Sequence, residues 1–366
     1  MIKLYITLIN LLLALFLNAQ ENETFLHLKT SWDHPYTKAS EIVDTYTRNQ
    51  SQIKKRDQEA RTYNLCFFLL ESGKYILQNK GENPDVSTLV KQIHLPSLDH
   101  PAVNTFINQL QPDPAIFTDY YYMIKALKKG EKFNNARDGF SMSTQFTPRP
   151  LNNWDYVKLR DIFSRHNTTL QNIYLEKMKF LFRNNGCTDE MMTLRLIIQK
   201  NIPASSLKNE ILQLYDRYEK IRKGHPAPTP TLKDETGKEY SFKDFSGKVI
   251  VVDVWATWCC SCIEKMPAFI QLRDEFRNNN QVIFLTVSID RQYTYEQWKK
   301  ALTTNKMQGM INLISGEDDP SSFETAYCIP SVPRYLVIDQ QGKIVDAYAP
   351  SPGNELKQLI QNTLKQ

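Results

Sequence analysis

The stretch Lys248 to Pro267, "KVIVVDVWATWCCSCIEKMP", constrains the fold more than any other part of this chain. "KVIVVDVW" is an almost unbroken run of β-formers, the pattern of a strand covered on both faces, as in a parallel sheet with helices on either side. Three cysteines follow at Cys259, Cys260 and Cys262, at the start of a helical pattern. Residues three apart on a helix lie about 60° apart on one face, so Cys259 and Cys262 become neighbours. Cys260 points about 100° from Cys259 and about 200° from Cys262. Helical i, i+3 spacing suits the Cα separation of roughly 4.4–6.8 Å that a disulfide requires. The working pair is therefore Cys259 and Cys262. A soft-metal site for Cu or Zn using Cys259, Cys260 and Cys262 remains as the alternative, although no histidine lies nearby to complete a typical zinc set.

A helix N-terminus explains why such a pair reacts. Its free N–H groups and positive dipole end stabilise a thiolate on the first cysteine and lower its pKa. Cys259, at the loop edge, is expected to be the exposed nucleophile. Cys262, inside the first turn, is expected to be the buried resolving thiol.

Downstream of residue 224, strands and helices alternate. "QVIFLTVSID" reads as a second buried strand, with helical patterns on either side of it. "RYLVID", the turn "QQGK" and "IVDAYA" read as a β-hairpin, "TLKDETGKEYSF" as a smaller hairpin around Gly237, and "GNELKQLIQNTLK" as a closing helix. This is βαβ architecture with an antiparallel edge. Ahead of it Pro226, Pro228 and Pro230 cannot continue a helix, and each biases its predecessor toward extended backbone. The expected division runs 1–19, 20–223 and 224–366.

Residues 20–223 read as a helical domain of unassigned function, a bundle of seven to nine helices. The apolar centre Leu65 to Leu70 is expected to be buried within it, and Ser206 is the expected N-cap of a helix carrying Ile211, Leu214, Tyr215, Tyr218 and Ile221. Residues 1–19 carry one early lysine and a 14-residue apolar run, Leu4 to Leu17. That is the length of a signal-peptide core and short of the roughly 20 residues a spanning helix needs. Export to a periplasmic or other extracytoplasmic space follows, with cleavage near Ala19. Membrane contact is expected only if this segment stays uncleaved. The net charge of +5 on 366 residues, without a basic stripe or motif, points away from nucleic acid. Six cysteines are too few for a disulfide scaffold of this length. Cys66 reads as a core residue, Cys187 as a loop thiol and Cys260 as a variable position, and Cys328 takes no role.

"VVDVWATWCCSC" resembles the active-site strand and motif of thioredoxins. With "GHPAPTPTLKDETGKEYSFKDFSGK" ahead of it and "YCIPSVPRYLVID" behind, residues 225–366 resemble the exported TlpA/ResA-like thioredoxin family. The resemblance implies an α/β thioredoxin-like fold and a thiol–disulfide oxidoreductase that needs no cofactor. Its partners would be protein or peptide disulfides and a membrane electron donor. It implies that Cys259 attacks a substrate disulfide and that Cys262 resolves the mixed disulfide. Pro333 falls at the cis-proline position, leaving the Val332 backbone free to pair with an extended substrate. Trp258 and Arg334 flank the same face. Asp253, six residues before Cys259, takes the place of a buried acid that serves Cys262.

The chain also departs from the pattern. Cys260-Ser261 lacks the usual proline before the second cysteine. Lys265 stands where the cytochrome-maturation branch often has glutamate, and Arg334 replaces a more usual threonine, which favours acidic or polar partners. A peroxiredoxin would need a Pro-x-x-x-Thr-x-x-Cys setting, which is absent. A binding protein regulated by its redox domain is the remaining rival.

Overall fold

The computed structural model describes residues 28–365 apart from 30, 33–35, 80–83, 111–113, 133–152 and 317–321. The expected signal segment, 1–19, lies outside the described residues. No described helix is long and apolar enough to cross a membrane. The chain folds into two compact units, Met1–Leu175 with Ile197–Pro203, and Glu176–Leu196 with Ala204–Gln366.

Among the described residues nine helices precede the proline-rich stretch: α1 (Ala39–Gln52), α2 (Gln58–Gln78), α3 (Pro84–Gln92), α4 (Pro101–Gln109), α5 (Ile116–Lys128), α6 (Asn153–Phe163), α7 (Thr168–Asn185), α8 (Asp189–Asn201) and α9 (Ser206–Glu219). In the first unit α2 is the centre. Asp57 caps it by accepting from the Ala60 N–H, and Cys66, Phe68, Leu69 and Leu70 are all buried. Phe67 meets Phe106 of α4 edge-on at 4.9 Å, and Phe68 stacks on Tyr46 of α1 at 4.4 Å. Gly73 is there for closeness: a Cβ would come within 2.3 Å of the Tyr120 ring on α5. A buried charge pair joins Lys158 to Asp119, beside the Tyr174 ring.

The second unit holds a seven-stranded mixed sheet in the order β2-β1-β5-β4-β3-β6-β7. The strands are β1 (Leu232–Lys233), β2 (Glu239–Tyr240), β3 (Val249–Trp255), β4 (Val282–Arg291), β5 (Ile311–Gly316), β6 (Arg334–Ile338) and β7 (Ile344–Ala349). β3 runs parallel to β4 and antiparallel to β6, and every residue of it is buried. A central strand covered on both faces is what its apolar run requires. After it come α10 (Cys260–Glu275), α11 (Tyr295–Thr304), the single turn α12 (Phe323–Ala326) and α13 (Asn354–Thr363). Met266, Phe269 and Leu272 of α10 and Leu356 and Ile360 of α13 share one core with Val249, Val251 and Trp255. Burying a side chain of this size contributes about 1.5–3 kcal/mol.

Both expected hairpins are present. Asp234 accepts from the Thr236 and Lys238 N–H groups in one turn, and Asp339 from Gln341 and Lys343 in the other. Gly237 and Gly342 take the left-handed conformations, φ 87° and 74°, that these turns need. Three findings depart from the sequence reading. The N-cap of α9 is Ser205, which accepts from Lys208, one residue before the expected cap. β5 has no counterpart in that reading, because Asn312 interrupts its apolar pattern. Buried, Asn312 accepts from Thr286 Oγ1 at 2.8 Å and donates to the Met307 and Met310 carbonyls.

The third departure is the break at residues 223–225, which falls inside the second unit rather than between the two. Gly224 donates to the Ile344 carbonyl, His225 accepts from the Ile344 N–H, and Ala227 donates to the Gly342 carbonyl. The segment is therefore tied to the β6–β7 hairpin. Upstream, the Phe182 ring packs against Tyr215 and Tyr218 of α9, and the Tyr348 hydroxyl of β7 donates to the Phe182 carbonyl at 2.9 Å.

Candidate active site

Cys259 is the N-cap of α10, so its side chain faces the free N–H groups of the first turn. The Cys262 N–H points at Cys259 Sγ, 3.2 Å away. Cys259 and Cys262 form a disulfide with their Cα atoms 5.3 Å apart. Cys260, one residue on, is exposed and free. The helical angles expected from the spacing thus separate one cysteine from the other two. The expected exposure of Cys259 needs correction: the residue is 5% exposed, against 0% for Cys262. Joined to Cys262 and seated in the core of α10 and Trp255, it presents only an edge. The exposed neighbour is Trp258, at 65%.

Asp253 shares its face of β3 with Val251 and Trp255, because side chains alternate along a strand. Those two residues belong to the core that contains both sulfurs. Asp253 is fully buried, and neither carboxyl oxygen has a hydrogen-bond partner among the described residues. Burial pushes its pKa up to about 8, with the Lys265 charge pulling the other way. Lys265 Nζ also donates to Ser351 Oγ at 3.0 Å. Tyr335 lies across from Asp253 in the β3–β6 pairing, and its hydroxyl is likewise buried with no hydrogen-bond partner among the described residues.

The Val332–Pro333 peptide bond is cis. Val332 is half-buried and packs against the core that includes Cys259 and Cys262. Arg334, expected beside the substrate, is buried. It is 7% exposed, its guanidinium lies 3.6 Å from the Tyr348 ring centroid, and it donates to the Ala347 and Arg183 carbonyls. Being the first residue of β6, next to β7, it is drawn over Tyr348 into the interior.

Sequence reasoning missed Asp290. This buried carboxyl at the end of β4 accepts from the Thr257 N–H at 2.8 Å and from Thr257 Oγ1 at 2.7 Å. It also accepts from Ser288 Oγ at 2.6 Å. It therefore pins the loop that carries Trp258 and leads into Cys259. Its only trace in the sequence is its place at the end of a buried strand parallel to β3. Asp290→Ala strands the Thr257 N–H, which costs about 1–3 kcal/mol. The variant should unfold at lower denaturant and show altered Trp258 fluorescence, with Asp290→Asn recovering part of both. A fluorescence spectrum and midpoint equal to the parent's would mean that the loop holds itself.

The redoxin family profile matches residues 222–360. The chain is similar to a thioredoxin-like protein, YneN, of Bacillus subtilis: 27% identical over 139 residues, 37% of this chain and 78% of that one. It is also similar to the thiol–disulfide oxidoreductase ResA of Bacillus cereus, 24% identical over 151 residues, 41% and 82% of the two chains. Among solved structures it resembles the thioredoxin domain of a thiol–disulfide oxidoreductase from Bacteroides vulgatus. That pair is 30% identical, over 38% of this chain and 96% of the other, with a TM-score of 0.35.

Proposed function

We propose, from the premise that this chain carries a C-terminal redoxin domain and is a thiol–disulfide oxidoreductase akin to ResA, that it reduces protein or peptide disulfides outside the cytoplasm. The observation that carries the reading is the Cys259–Cys262 disulfide at the N-terminus of α10, with the buried Asp253 on the same core. In the dithiol form, the Cys259 thiolate attacks one sulfur of the substrate disulfide and releases the other as a thiolate. The Cys262 thiol then loses its proton and attacks Cys259 Sγ, freeing the second substrate thiol. The enzyme ends as the disulfide and the substrate as two thiols. Asp253 is the acid that exchanges the proton of Cys262, since its pKa is raised toward the working range of a thiol.

The reducing direction is part of this proposal, and the potential of the Cys259–Cys262 pair decides it. Export is supported by the apolar run Leu4 to Leu17, and regeneration is assigned to a membrane electron donor on the family resemblance. Equilibration with glutathione tests the direction. The pair should stay mostly oxidised in buffers of cytosolic-type glutathione ratio, as a couple more reducing than glutathione must. Full reduction by a mildly reducing glutathione buffer would make the protein an oxidant or isomerase instead.

A further inference from the structure

Away from the disulfide, the second unit holds a cavity of about 400 Å³, within the size range of ligand pockets. One wall is the C-terminal part of α7 and α9, which bring in Arg183 and Arg217. The other is the chain after α12, Cys328 to Pro330. The acids in the lining are already matched. Glu210 pairs with Lys179 at 2.8 Å, and Glu324 faces Arg291 at 3.6 Å and accepts from Ser315. Neither Arg183 nor Arg217 has a carboxylate partner among the described residues. Two guanidiniums thus line one hollow whose own acids, Glu210 and Glu324, are engaged by Lys179, Arg291 and Ser315, and a carboxylate there would give both charge-assisted hydrogen bonds.

The pocket is not a second reactive centre. Cys328 is 5% exposed, and burial pushes its thiol up. It is placed for recognition of the same substrate. Pro330 on its rim is two residues from Val332, a backbone reach of about 7 Å, and Val332 packs against the core of the two sulfurs. An extended peptide advances about 3.3 Å per residue. A side chain about two to four residues from the attacked cysteine therefore reaches the arginines.

We propose that Arg183 and Arg217 form a carboxylate subsite, so that the preferred substrates are polypeptide disulfides with an Asp or Glu two to four residues from the reacting cysteine. This deepens the proposed function and rests on it.

The test uses the full chain and two synthetic peptides with the same disulfide, one with Glu and one with Gln at those positions. A small uncharged disulfide, hydroxyethyl disulfide, serves as the third substrate. The parent should reduce the Glu peptide with a kcat/KM about tenfold above the Gln peptide, a difference of about 1.4 kcal/mol. Arg183→Gln/Arg217→Gln should abolish that preference and leave hydroxyethyl disulfide reduction unchanged. The charge-matched control Lys299→Gln/Lys300→Gln, on α11, should keep the preference. Equal rates on the two peptides with the parent, or a preference that survives in the arginine variant, overturn the subsite. So does loss of preference in the lysine control, which would mean general charge steering. Free glutarate slowing both peptides equally would show a site for a free anion rather than for substrate. Failure of the parent on all three disulfides would instead sink the reductase reading, and the subsite with it.

Discussion

Asp253→Asn should make the oxidised protein more stable, by an amount that grows with pH. The native carboxyl has a pKa raised to about 8, and its unfolded value is near 3.9. Between those values the folded state holds a proton that the unfolded state has lost, so folding stability falls as pH rises through that window. Below about pH 4 both states are protonated and the penalty is absent; above about pH 8 it is complete. Asparagine does not titrate, so its advantage should appear between pH 4 and 8 and then level off. The affinity gap sets a ceiling of about 6 kcal/mol, and relaxation around the buried charge reduces this to an expected gain of about 2–4 kcal/mol at pH 8. Denaturant unfolding of the oxidised protein at pH 4, 6 and 8 measures it. A parent and variant separated by the same margin at all three values would show that Asp253 is not held protonated. The gain should have a cost in turnover, since the variant has no acid to exchange the proton of Cys262.

Cys259→Ser should reduce insulin-disulfide turnover in the presence of dithiothreitol by on the order of 10³-fold or more, because a serine hydroxyl at neutral pH is not a thiolate. Cys262→Ser should fail differently. The first attack survives and the enzyme stalls as a mixed disulfide, visible by mass as a covalent adduct that dithiothreitol releases. Cys260→Ser should stay within about twofold of the parent, since its side chain is exposed and the helix turns it away from the pair. If Cys260→Ser were as inactive as Cys259→Ser, and Cys259→Ser formed adducts, the nucleophile would have been assigned to the wrong cysteine.

What the sequence makes legible here is what local pattern can encode. Seven consecutive buried residues announce β3, and turn residues such as Asp234, Gly237, Asp339 and Gly342 announce the two hairpins. Cys-x-x-Cys at a helix start announces the reacting pair. Contacts between residues distant in the chain are not encoded that way. β5 escapes because Asn312 is satisfied by Thr286, 26 residues away, and Asp290 escapes because Thr257 lies 33 residues away. Arg334 reads as a charge at the substrate face until Arg183, 151 residues earlier, supplies a carbonyl for its guanidinium. Composition marks a break at the prolines. It cannot show that Phe182, Tyr215 and Tyr218 lie in the same unit as the sheet.

The pairing of residues 224–227 with the β6–β7 hairpin has a further consequence. β7 is the last strand of the sheet, and an open last strand is a template on which any extended chain can assemble. Gly224 and His225 occupy the carbonyl and the N–H of Ile344, the first residue of this strand, Ala227 takes the Gly342 carbonyl in the turn before it, and Pro226 bridges opposite Lys343. Proline has no N–H to donate outward, so the added segment ends the ladder rather than extending it. The proline-rich stretch acts as a selvedge. It binds off this margin of the sheet where β7 begins, at Ile344.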